Sequence, residues 1–498
     1  MKYKEVVTGV VFAMLIAGLF WVWQDYRYQQ LSPDFQTKPQ NAHMYTAAAE
    51  PSMVPNVILE SGVFPLPQYT RYEMKLQFDP IQRKLTGTSF IFSRNTTGME
   101  LSAIPLSCYP NAFRTSGATP APLNAYPGGF DPGAIEISAV MVNNQTALIE
   151  GAGEITEWIH LADPLADQAE FCMVLDWEVM IPRAEYRFGA MNTIFNLSHT
   201  YPSLISYDGQ EWHTPYNSKF GDPFCLAAAD YLVSIILPQG YMVATNATMT
   251  GGEVKDEGHE LHVYQAQKVR DFSLTIMSRY TRSSMQNGDT SIHVYYPFGT
   301  TRPDLKEIAA ILNYYSEMFT PYPLRNFSVV YTPLKGFDGM EYSGLILLKQ
   351  EYLTQKIDNA QFILAHEIAH QWWYGIIGND QSRDPWMDEG LANWSAYHYL
   401  QAAGLSGASY PYTGSTRLNR SLIQFSSRQD YYNIAYNHGA GFWFALEQRL
   451  GTEKVIEALR LYINQYQGQI ANEQALLECI QQVSDQPLDN FFSAWIKN

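Results

Sequence analysis

Two histidines and two glutamates in one short stretch have the spacing of a metal site. His366 and His370 are four residues apart in the sequence HEIAH, and Glu367 follows the first of them. Residues four apart share one face of a helix, so both imidazoles can reach one ion while Glu367 lies beside it. Glu389, after eighteen further residues, completes the two-imidazole, one-carboxylate ligand set of a catalytic zinc, which leaves one position for water. The pattern predicts a zinc-dependent hydrolase.

The alternative interpretation is that two core histidines of a buried helix happen to be four residues apart. With 11 histidines and 49 acidic residues in 498, His-acid-x-x-His is expected about 0.02 times per chain by chance. The flanking sequence also suits buried helices: residues 365–373 are largely apolar without Gly or Pro. A second apolar helix is predicted from Trp386, directly after Pro385. These observations favour the metal site.

Size and charge exclude several other classes of protein. A chain of 498 residues is expected to form two or three domains, and 46% hydrophobic residues exclude disorder for most of it. The net charge of −17 argues against a nucleic-acid partner and weakly favours cationic ligands such as a free amino terminus. The four cysteines have no metal-binding spacing, and an extracytoplasmic location would permit a disulfide in any of three pairings; they are Cys108, Cys172, Cys225 and Cys479.

The amino-terminal segment has the properties of a membrane anchor. Val6–Trp23 is eighteen residues without charge, and as a helix it would be about 27 Å long, close to the hydrocarbon thickness of a bilayer. Lys2 and Lys4 precede it, which predicts a cytoplasmic tail over residues 1–5 and an exported remainder. A cleaved signal peptide is the alternative, although no small-x-small cleavage site follows promptly. We expect a transmembrane signal anchor over residues 6–23.

The rest of the chain predicts an α+β protein with two folded domains. Residues 24–58 are polar and Pro-containing, as expected for a linker. Residues 59–284 contain segments of alternating apolar and polar residues, which predict an antiparallel β domain, a sandwich or a saddle. Residues 285–498 contain short strands and then helical periodicity. This second domain includes the metal-binding stretch, and amphipathic helices are expected over 440–450, 453–465 and 472–483.

The sequences HEIAHQWW and WMDEGLANW resemble the zinc signature of the gluzincin aminopeptidases related to membrane alanyl aminopeptidase. The resemblance implies a thermolysin-like, mostly helical catalytic domain with one zinc ion per chain. His366, His370 and Glu389 would be the zinc ligands, and Glu367 would be the general base for a zinc-activated water.

A second motif of that family lies upstream. Gly339-Met340-Glu341-Tyr342 is similar to the family's G-A-M-E-N exopeptidase motif, in which the glutamate holds the free amine of the substrate. The resemblance implies a substrate-binding role for Gly339, Met340 and Glu341. This sequence departs from the motif, since Gly339 stands for the alanine, Asp338 for the first glycine and Tyr342 for the asparagine.

A third similarity lies downstream of the metal-binding stretch. The segment that begins with Tyr436 and ends with Gly439-Ala440 is similar to the family's Y-x-K-G-A, in which the tyrosine stabilises the tetrahedral intermediate, and His438 replaces the lysine. The resemblance implies a catalytic role for Tyr436. Since 62 residues follow Tyr436, it also implies a short form without the large helical carboxyl-terminal domain of many members.

These observations lead to one main hypothesis and two alternatives. The main hypothesis is a membrane-anchored zinc aminopeptidase, with its catalytic domain outside the cytoplasm, that acts on peptides with a free amino terminus. A zinc endopeptidase is the first alternative, because of the Tyr342 departure and the short carboxyl terminus. A peptide-binding or scaffold protein with an inert zinc site is the second.

Overall fold

The computed structural model describes residues 70–255, 258–355, 359–405 and 417–496. These residues all belong to one compact unit. The predicted tail (1–5), transmembrane anchor (6–23) and linker (24–58) lie outside the described residues. Across the described ranges, no helix is long and apolar enough to cross a membrane.

The amino-terminal part of the described chain, here called the β region, consists of strands with alternating burial. In the first strand, for example, Met74, Leu76 and Phe78 are buried and the residues between them are exposed, the pattern of a sheet with one face on a core. The strands of this region are β1 Thr70–Asp79, β2 Lys84–Arg94, β3 Leu101–Ser107, β4 Ala134–Val142, β5 Gln145–Thr146, β6 Leu148–Glu150, β7 Thr156–Leu165, β8 Glu170–Met180, β9 Phe188–Met191, β10 Ile194–Leu197, β11 Ser203–Leu204, β12 Ala229–Pro238, β13 Met242–Thr245, β14 Thr248–Val254, β15 His259–Val269 and β16 Leu274–Met277.

The β region is not wholly antiparallel, as the sequence had led us to expect. The largest sheet has the order β14-β15-β12-β1-β2-β8-β4-β5, and in it β1 pairs with β12 in parallel, with Met74 opposite Val233. The other pairs of this sheet are antiparallel. A parallel pair requires a long crossover connection, which residues 80–228 provide. Alternating burial predicts strands but does not indicate their relative direction, so this prediction was wrong for one pair.

The second part of the described chain, here called the helical region, starts with a mixed sheet of order β17-β18-β19-β21-β20. Its strands are β17 Tyr280–Asn287, β18 Thr290–Pro297, β19 Asn326–Thr332, β20 Gly339–Tyr342 and β21 Leu345–Lys349. The helices are α1 Leu305–Met318, α2 Ala360–Ala369, α3 Trp386–Ala402, α4 Arg428–Tyr431, a π-helix over Tyr432–His438, α5 Gly439–Leu450, α6 Thr452–Tyr466, α7 Glu473–Val483 and α8 Asp489–Trp495. The predicted domain boundary between residues 284 and 285 falls inside β17, which pairs along its whole length with β18.

Three hydrophobic cores hold these elements together. One lies within the β region and one within the helical region. A third core joins the two regions beneath β20 and contains Met340 and Tyr342. Because side chains alternate along a strand, Gly339 and Glu341 point away from this core.

The helix that carries the two histidines is shorter than expected. We predicted helix over residues 365–373, but α2 ends at Ala369 and His370 is its carboxyl-terminal cap. Trp372 and Trp373 follow in a tight turn and are buried in the core, and Trp373 donates a hydrogen bond to Ser395 on α3. The turn satisfies the last carbonyls of α2 and directs the chain towards α3. As expected, α3 begins directly after Pro385.

The four cysteines are free thiols in this structure. They all lie within the described ranges, so none of the three conceivable disulfide pairings is formed. Cys108 and Cys225 are buried in the β region and Cys479 in the helical region.

Candidate active site

Three side-chain atoms converge at the predicted metal site. His366 Nε2 is 3.1 Å from His370 Nε2, and Glu389 Oε2 is 3.2 Å from the former and 3.3 Å from the latter. A tetrahedral zinc with bonds of about 2.0–2.1 Å has ligand atoms about 3.4 Å apart. The triangle formed by His366, His370 and Glu389 therefore fits a zinc ion.

The orientation of His370 is set by the turn that follows α2. Its Nδ1 lies 3.0 Å from the carbonyl oxygen of Trp373, and a carbonyl can only accept, so Nδ1 carries the proton. The lone pair is then on Nε2, the atom that faces His366 and Glu389. An outer hydrogen bond of this kind is typical of metal-binding histidines.

The second carboxylate oxygen of Glu389 binds two tyrosine hydroxyls. Tyr436 donates a short hydrogen bond to Glu389 Oε1, and the Tyr431 hydroxyl lies 3.3 Å from the same oxygen. Tyr436 is part of the π-helix Tyr432–His438, a rare conformation that is frequently found at functional sites. The structure thus brings Tyr436 next to the predicted ligands.

Glu367 borders the same site without joining the triangle. Its side chain is buried and lies directly over Gly339, where a Cβ atom would be 2.2 Å from Glu367 Oε1. Glycine at position 339, where the family motif has alanine, leaves room for this carboxylate. Glu367 thus lines the same cavity as His366 and Glu389.

Glu341 lies in the same cavity, on β20. The cavity has a volume of about 270 Å³. Its lining includes the predicted residues Gly339, Met340, Glu341, His366, Glu367, Glu389 and Tyr436, together with aromatic side chains such as Phe337, Phe362 and Tyr432. Tyr342, the departure from the family motif, is absent from the lining, because it is fully buried in the core on the other face of β20.

The ionisation of the site follows from burial and from its charged neighbours. Burial raises the pKa of Glu367 to about 8. Burial opposes ionisation of Glu389 as well, but its hydrogen bonds to His366 and His370 outweigh that effect and lower its pKa to about 2. Burial also raises the pKa of Glu341, and the neighbouring charge of Asp222 adds to the shift.

The donor set is chemically suited to a dication. Burial lowers the pKa of His366, so this imidazole is neutral. Burial acts in the same direction on His370, but the charges of Glu341 and Glu389 prevail and raise its pKa. The negative potential that favours a proton on His370 equally favours a metal cation at its Nε2. The residues present therefore fit zinc.

A second cluster of candidate metal ligands in the described part of the chain is a weaker match. His213, Cys225 and Asp380 lie close together. Asp380 Oδ2, however, already pairs with His213 at 2.6 Å and with Arg383 at 3.1 Å. A cation would have to compete with both partners, so this cluster is better explained as an ion-paired network.

Several residues of the cavity were not anticipated from the sequence. Arg187 and Asp222 come from loops of the β region, form a buried ion pair and line the cavity. Gln381 donates a hydrogen bond to Glu341, and Arg428 reaches the cavity from α4. These are single residues, three in loops and Arg428 at the start of a one-turn helix, and they have no spacing that marks them, so the sequence offered no signal for them.

A buried pair of imidazoles with a carboxylate, and a separate glutamate beside them on the same helix, is a residue set suited to a metal-dependent hydrolase. Residues 304–495 match the peptidase family M1 domain. The chain thus carries a peptidase family M1 domain, and its resemblance to the gluzincin aminopeptidases is confirmed. The matched domain is the one that the expected zinc metallopeptidase requires.

Relatives of known name agree with this assignment. The chain is 27% identical over 210 residues to aminopeptidase M1-D of Oryza sativa subsp. japonica, a match that covers 37% of this chain and 24% of the rice protein. It is 24% identical over 259 residues to tricorn protease-interacting factor F2 of Thermoplasma acidophilum, covering 47% of this chain and 31% of that protein. The match thus spans about a quarter to a third of the length of these relatives.

The fold has a solved counterpart. An M1 zinc metallopeptidase of Deinococcus radiodurans, crystallised as a mutant with a Tyr-Ser-Ala substrate, superimposes with a TM-score of 0.62 at 18% identity. The superposition covers 86% of this chain and 94% of that one. The expected α+β fold, a β-sheet part followed by a mostly helical part, is confirmed at this level.

Proposed function

We propose that this protein is a zinc aminopeptidase that removes amino-terminal residues from peptides. The observation that carries the proposal is the position of Glu341: a buried carboxylate in the same 270 Å³ cavity as the metal-binding triangle and Glu367. A carboxylate at that place recognises an ammonium group. A free amino terminus bound there would place its first peptide bond near Glu367.

Glu367 is the proton carrier in this proposal. One zinc per chain, held by His366, His370 and Glu389, would acidify a water molecule and polarise the carbonyl of the substrate. Glu367 would take up a proton from that water and then deliver it to the leaving amine; burial raises its pKa, so it holds a proton more readily than an ordinary glutamate. A positioned acid–base group of this kind typically contributes about 10²–10⁴-fold in rate.

Tyr436 supplies a hydrogen-bond donor for the negative charge that develops on the substrate. In this structure its one hydroxyl proton is donated to Glu389, so the hydroxyl would turn from Glu389 to the substrate oxygen as the charge develops. Burial raises its pKa well above the usual value, which keeps the hydroxyl protonated. Removal of one such donor typically costs about 3 kcal/mol of transition-state stabilisation.

Glu341 determines where the peptide is cut. A charge-assisted hydrogen bond between its carboxylate and an ammonium contributes roughly 1.5–3 kcal/mol. Because β20 is fixed between β21 and the core beneath it, the distance from Glu341 to the metal-binding triangle is fixed too. Gly339 and Met340 form the adjoining part of the wall.

The Tyr342 departure, which had suggested an endopeptidase, does not alter the cavity in this structure. The tyrosine packs among Met340, Leu345 and Leu347 beneath the strand, and its ring is 5.5 Å from that of His199. An acid that binds an amine remains on the open face of β20. The aminopeptidase is therefore favoured over the endopeptidase and over an inert binding protein.

A metal analysis combined with a panel of substrates tests the proposal. The purified protein should contain about one zinc per chain, and a chelator should abolish hydrolysis until zinc is restored. Free aminoacyl substrates should be hydrolysed at least roughly tenfold faster than the same compounds with an acetylated amine. Equal rates on both would overturn the aminopeptidase proposal, and zinc-free activity would overturn the metal mechanism.

We further propose that residues 6–23 anchor the protein in a membrane, with its catalytic part outside the cytoplasm. The support is the uncharged run of eighteen residues with lysines on its amino-terminal side. The protein should remain with the membrane fraction after alkaline carbonate extraction and should be cleaved by a protease added to the outer side. Release into the soluble fraction by carbonate would contradict the anchor.

A further inference from the structure

The loop that connects the two metal-binding helices contains a fully buried glutamine, Gln381. It lies between α2 and α3, and 1% of its surface is exposed. Its backbone N–H donates to the carbonyl oxygen of Phe224 at 3.1 Å. Gln381 is therefore held against the β region while its side chain extends towards the active site.

The side-chain amide of Gln381 joins two carboxylates. Its Nε2 lies 2.9 Å from Glu341 Oε1 and 2.8 Å from Asp388 Oδ2. The nitrogen rather than the oxygen of the amide must face them, because carboxylate oxygens only accept and an NH₂ group has two protons to donate. The reverse orientation would bring three oxygens together. The amide is thus a specific bridge between Glu341 and Asp388.

Each end of this bridge is next to a part of the active site. Glu341 lines the cavity, and Asp388 directly precedes Glu389, one of the three residues of the metal-binding triangle. Asn379 binds the other oxygen of Asp388, with its Nδ2 at 3.2 Å from Oδ1. The Gln381 amide thus connects Glu341 to the start of α3, the helix that carries Glu389.

We propose that Gln381 is a positioning residue for recognition of the substrate's amine: it holds Glu341 at a fixed distance from the metal-binding triangle. The inference rests on the proposed function. Binding of one Glu341 oxygen by Gln381 restricts the rotation of the carboxylate and leaves the second oxygen to the ammonium. An exopeptidase needs this restriction, since a shift of about 1 Å in the bound substrate can cost about a hundredfold in rate.

Two substitutions test this role. Gln381→Leu removes both donated hydrogen bonds at similar volume, and Gln381→Glu keeps the shape but places a third carboxylate against Glu341 and Asp388. Both variants should raise the KM for free aminoacyl substrates by roughly tenfold to a hundredfold, the value of a charge-assisted hydrogen bond. Hydrolysis of the acetylated substrates should change little. If Gln381→Leu does not fold, as judged by circular dichroism, Gln381→Glu decides alone.

A double-mutant cycle separates positioning from a merely structural role. If Gln381 acts through Glu341, then Gln381→Leu should have no further effect on KM in a Glu341→Gln background, because the carboxylate that it positions is gone. Effects that multiply would overturn the inference. The matched control is Asn379→Leu, which removes the other donor to Asp388 without contacting Glu341, and which should leave the ratio of free to acetylated hydrolysis unchanged.

A binding measurement makes the result independent of turnover. In a Glu367→Gln background, calorimetry should show that Gln381→Leu weakens the binding of a tripeptide with a free amine roughly tenfold or more, with the zinc content unchanged. If the wild type does not distinguish free from acetylated substrates, the proposed function fails. If the wild type prefers free substrates and both Gln381 variants keep its ratio of free to acetylated hydrolysis, the inference about Gln381 fails while the proposed function stands.

Discussion

Two glutamates in the active site show how the surroundings of a residue assign its role. Glu367 and Glu389 are both buried, yet burial raises the pKa of the first to about 8, and two imidazoles lower that of the second to about 2. The ionised Glu389 is suited to bind a cation and Glu367 to exchange a proton near neutral pH. Divergent pKa values in neighbouring carboxylates are typical of an acid–base site.

Removal of the Tyr436 hydroxyl tests its catalytic role. We expect Tyr436→Phe to lower kcat by about 10²–10³-fold with little change in KM, because the donor acts on charge that develops in the transition state. Steady-state kinetics on a free aminoacyl substrate measures this directly. Tyr397→Phe, half-buried against Phe362 and Phe444, is the control and should behave as the wild type. A kcat within about twofold of wild type for Tyr436→Phe would exclude the role.

At the scale of residues, the sequence predicted the site residues that follow a regular helical spacing. His366 and His370 share a helical face, and Glu389 follows at the start of the next helix, so their convergence could be foreseen. The positions of Gln381 and Asp222 could not be foreseen, because irregular loops bring Asp222 to the cavity and Gln381 to Glu341 from other parts of the chain. Their contacts with Glu341 and Arg187 depend on tertiary packing, which has no local signature.

Among the elements, the crossing of α3 and α5 places Glu389 beside Tyr436. The two helices touch at their glycines, where a Cβ on Gly439 would lie 2.8 Å from Gly390 Cα and a Cβ on Gly390 would lie 2.8 Å from Gly439 Cα. These are backbone atoms, which cannot give way as a flexible side chain can. Glycine at both positions allows the close approach of the helices.

Gly439→Ala should separate the two helices. We expect the free energy of unfolding to fall by about 1–3 kcal/mol, the usual cost of overpacking, and kcat to fall more than about tenfold as Glu389 and Tyr436 move apart. Chemical denaturation and steady-state kinetics measure the two effects. Gly128→Ala is the control, because no atom lies within 4 Å of that Cβ. Unchanged stability and activity of Gly439→Ala would show that the crossing does not position the site.

Strand β7 contributes a pH dependence to stability through Glu157. This carboxyl is buried, accepts hydrogen bonds from Gly153 N at 2.8 Å and Asn111 Nδ2 at 3.3 Å, and has its pKa raised by burial from 4.5 to about 7. Between pH 4.5 and about pH 7, Glu157 is protonated in the folded protein but largely ionised in the unfolded chain. The contribution of Glu157 to the free energy of unfolding is therefore fully present below about pH 4.5 and is lost as the pH rises through about 7.

Glu157→Gln should remove that dependence. Relative to the variant, the wild type should lose up to about 3 kcal/mol of unfolding free energy between about pH 4.5 and about pH 8. Urea unfolding of both proteins at several pH values measures the difference, and the comparison cancels the contributions of all other groups. Parallel pH profiles for the two proteins would contradict the assignment.

At the scale of elements, periodicity located most helices and strands but not their ends or irregularities. Helices were expected over 440–450, 453–465 and 472–483, and α5, α6 and α7 occupy these positions within one residue. The early end of α2 at Ala369 and the π-helix Tyr432–His438 depend on what packs around them, and residue spacing indicates neither.

At the scale of the whole molecule, Arg270 holds the β and helical regions together. This residue follows β15 and is 1% exposed. Its guanidinium donates to the carbonyl oxygens of Tyr374 at 2.6 Å and Leu226 at 2.7 Å, and to those of Ile376 and Gln469 at 3.4 Å and 3.2 Å. Leu226 belongs to the β region and the other three acceptors belong to the helical region, so one side chain binds carbonyls on both sides of the junction.

Substitution of Arg270 should weaken this junction. Arg270→Met removes the donor to the carbonyls of Tyr374 and Leu226, whereas those of Ile376 and Gln469 keep a backbone donor. The free energy of unfolding should therefore fall by about 3 kcal/mol, and Arg270→Lys should lose less because an ammonium keeps some of these bonds. Arg94→Met, which breaks an exposed ion pair with Glu170, is the control and should cost under about 1 kcal/mol. Similar losses for Arg270→Met and Arg94→Met would contradict this account.

The arrangement of the two regions could be predicted only in part. Composition and alternation predicted a β-rich part followed by a mostly helical part, and Arg270 lies at their junction. The direction of β1 relative to β12, and the contribution of Arg187 and Asp222 to the cavity, follow from how the regions dock. Docking depends on surfaces that are far apart in sequence.

The most direct test of the central claim is to map the products of an unblocked decapeptide over time by mass spectrometry. The structure places a buried carboxylate, Glu341, in the cavity of the metal-binding triangle, and we propose that it binds the amine of the substrate. We therefore predict a ladder of products that each lack one more amino-terminal residue, and no such ladder when the amine is acetylated. Internal cuts, with the amino-terminal residue still attached to its neighbours, would contradict the account.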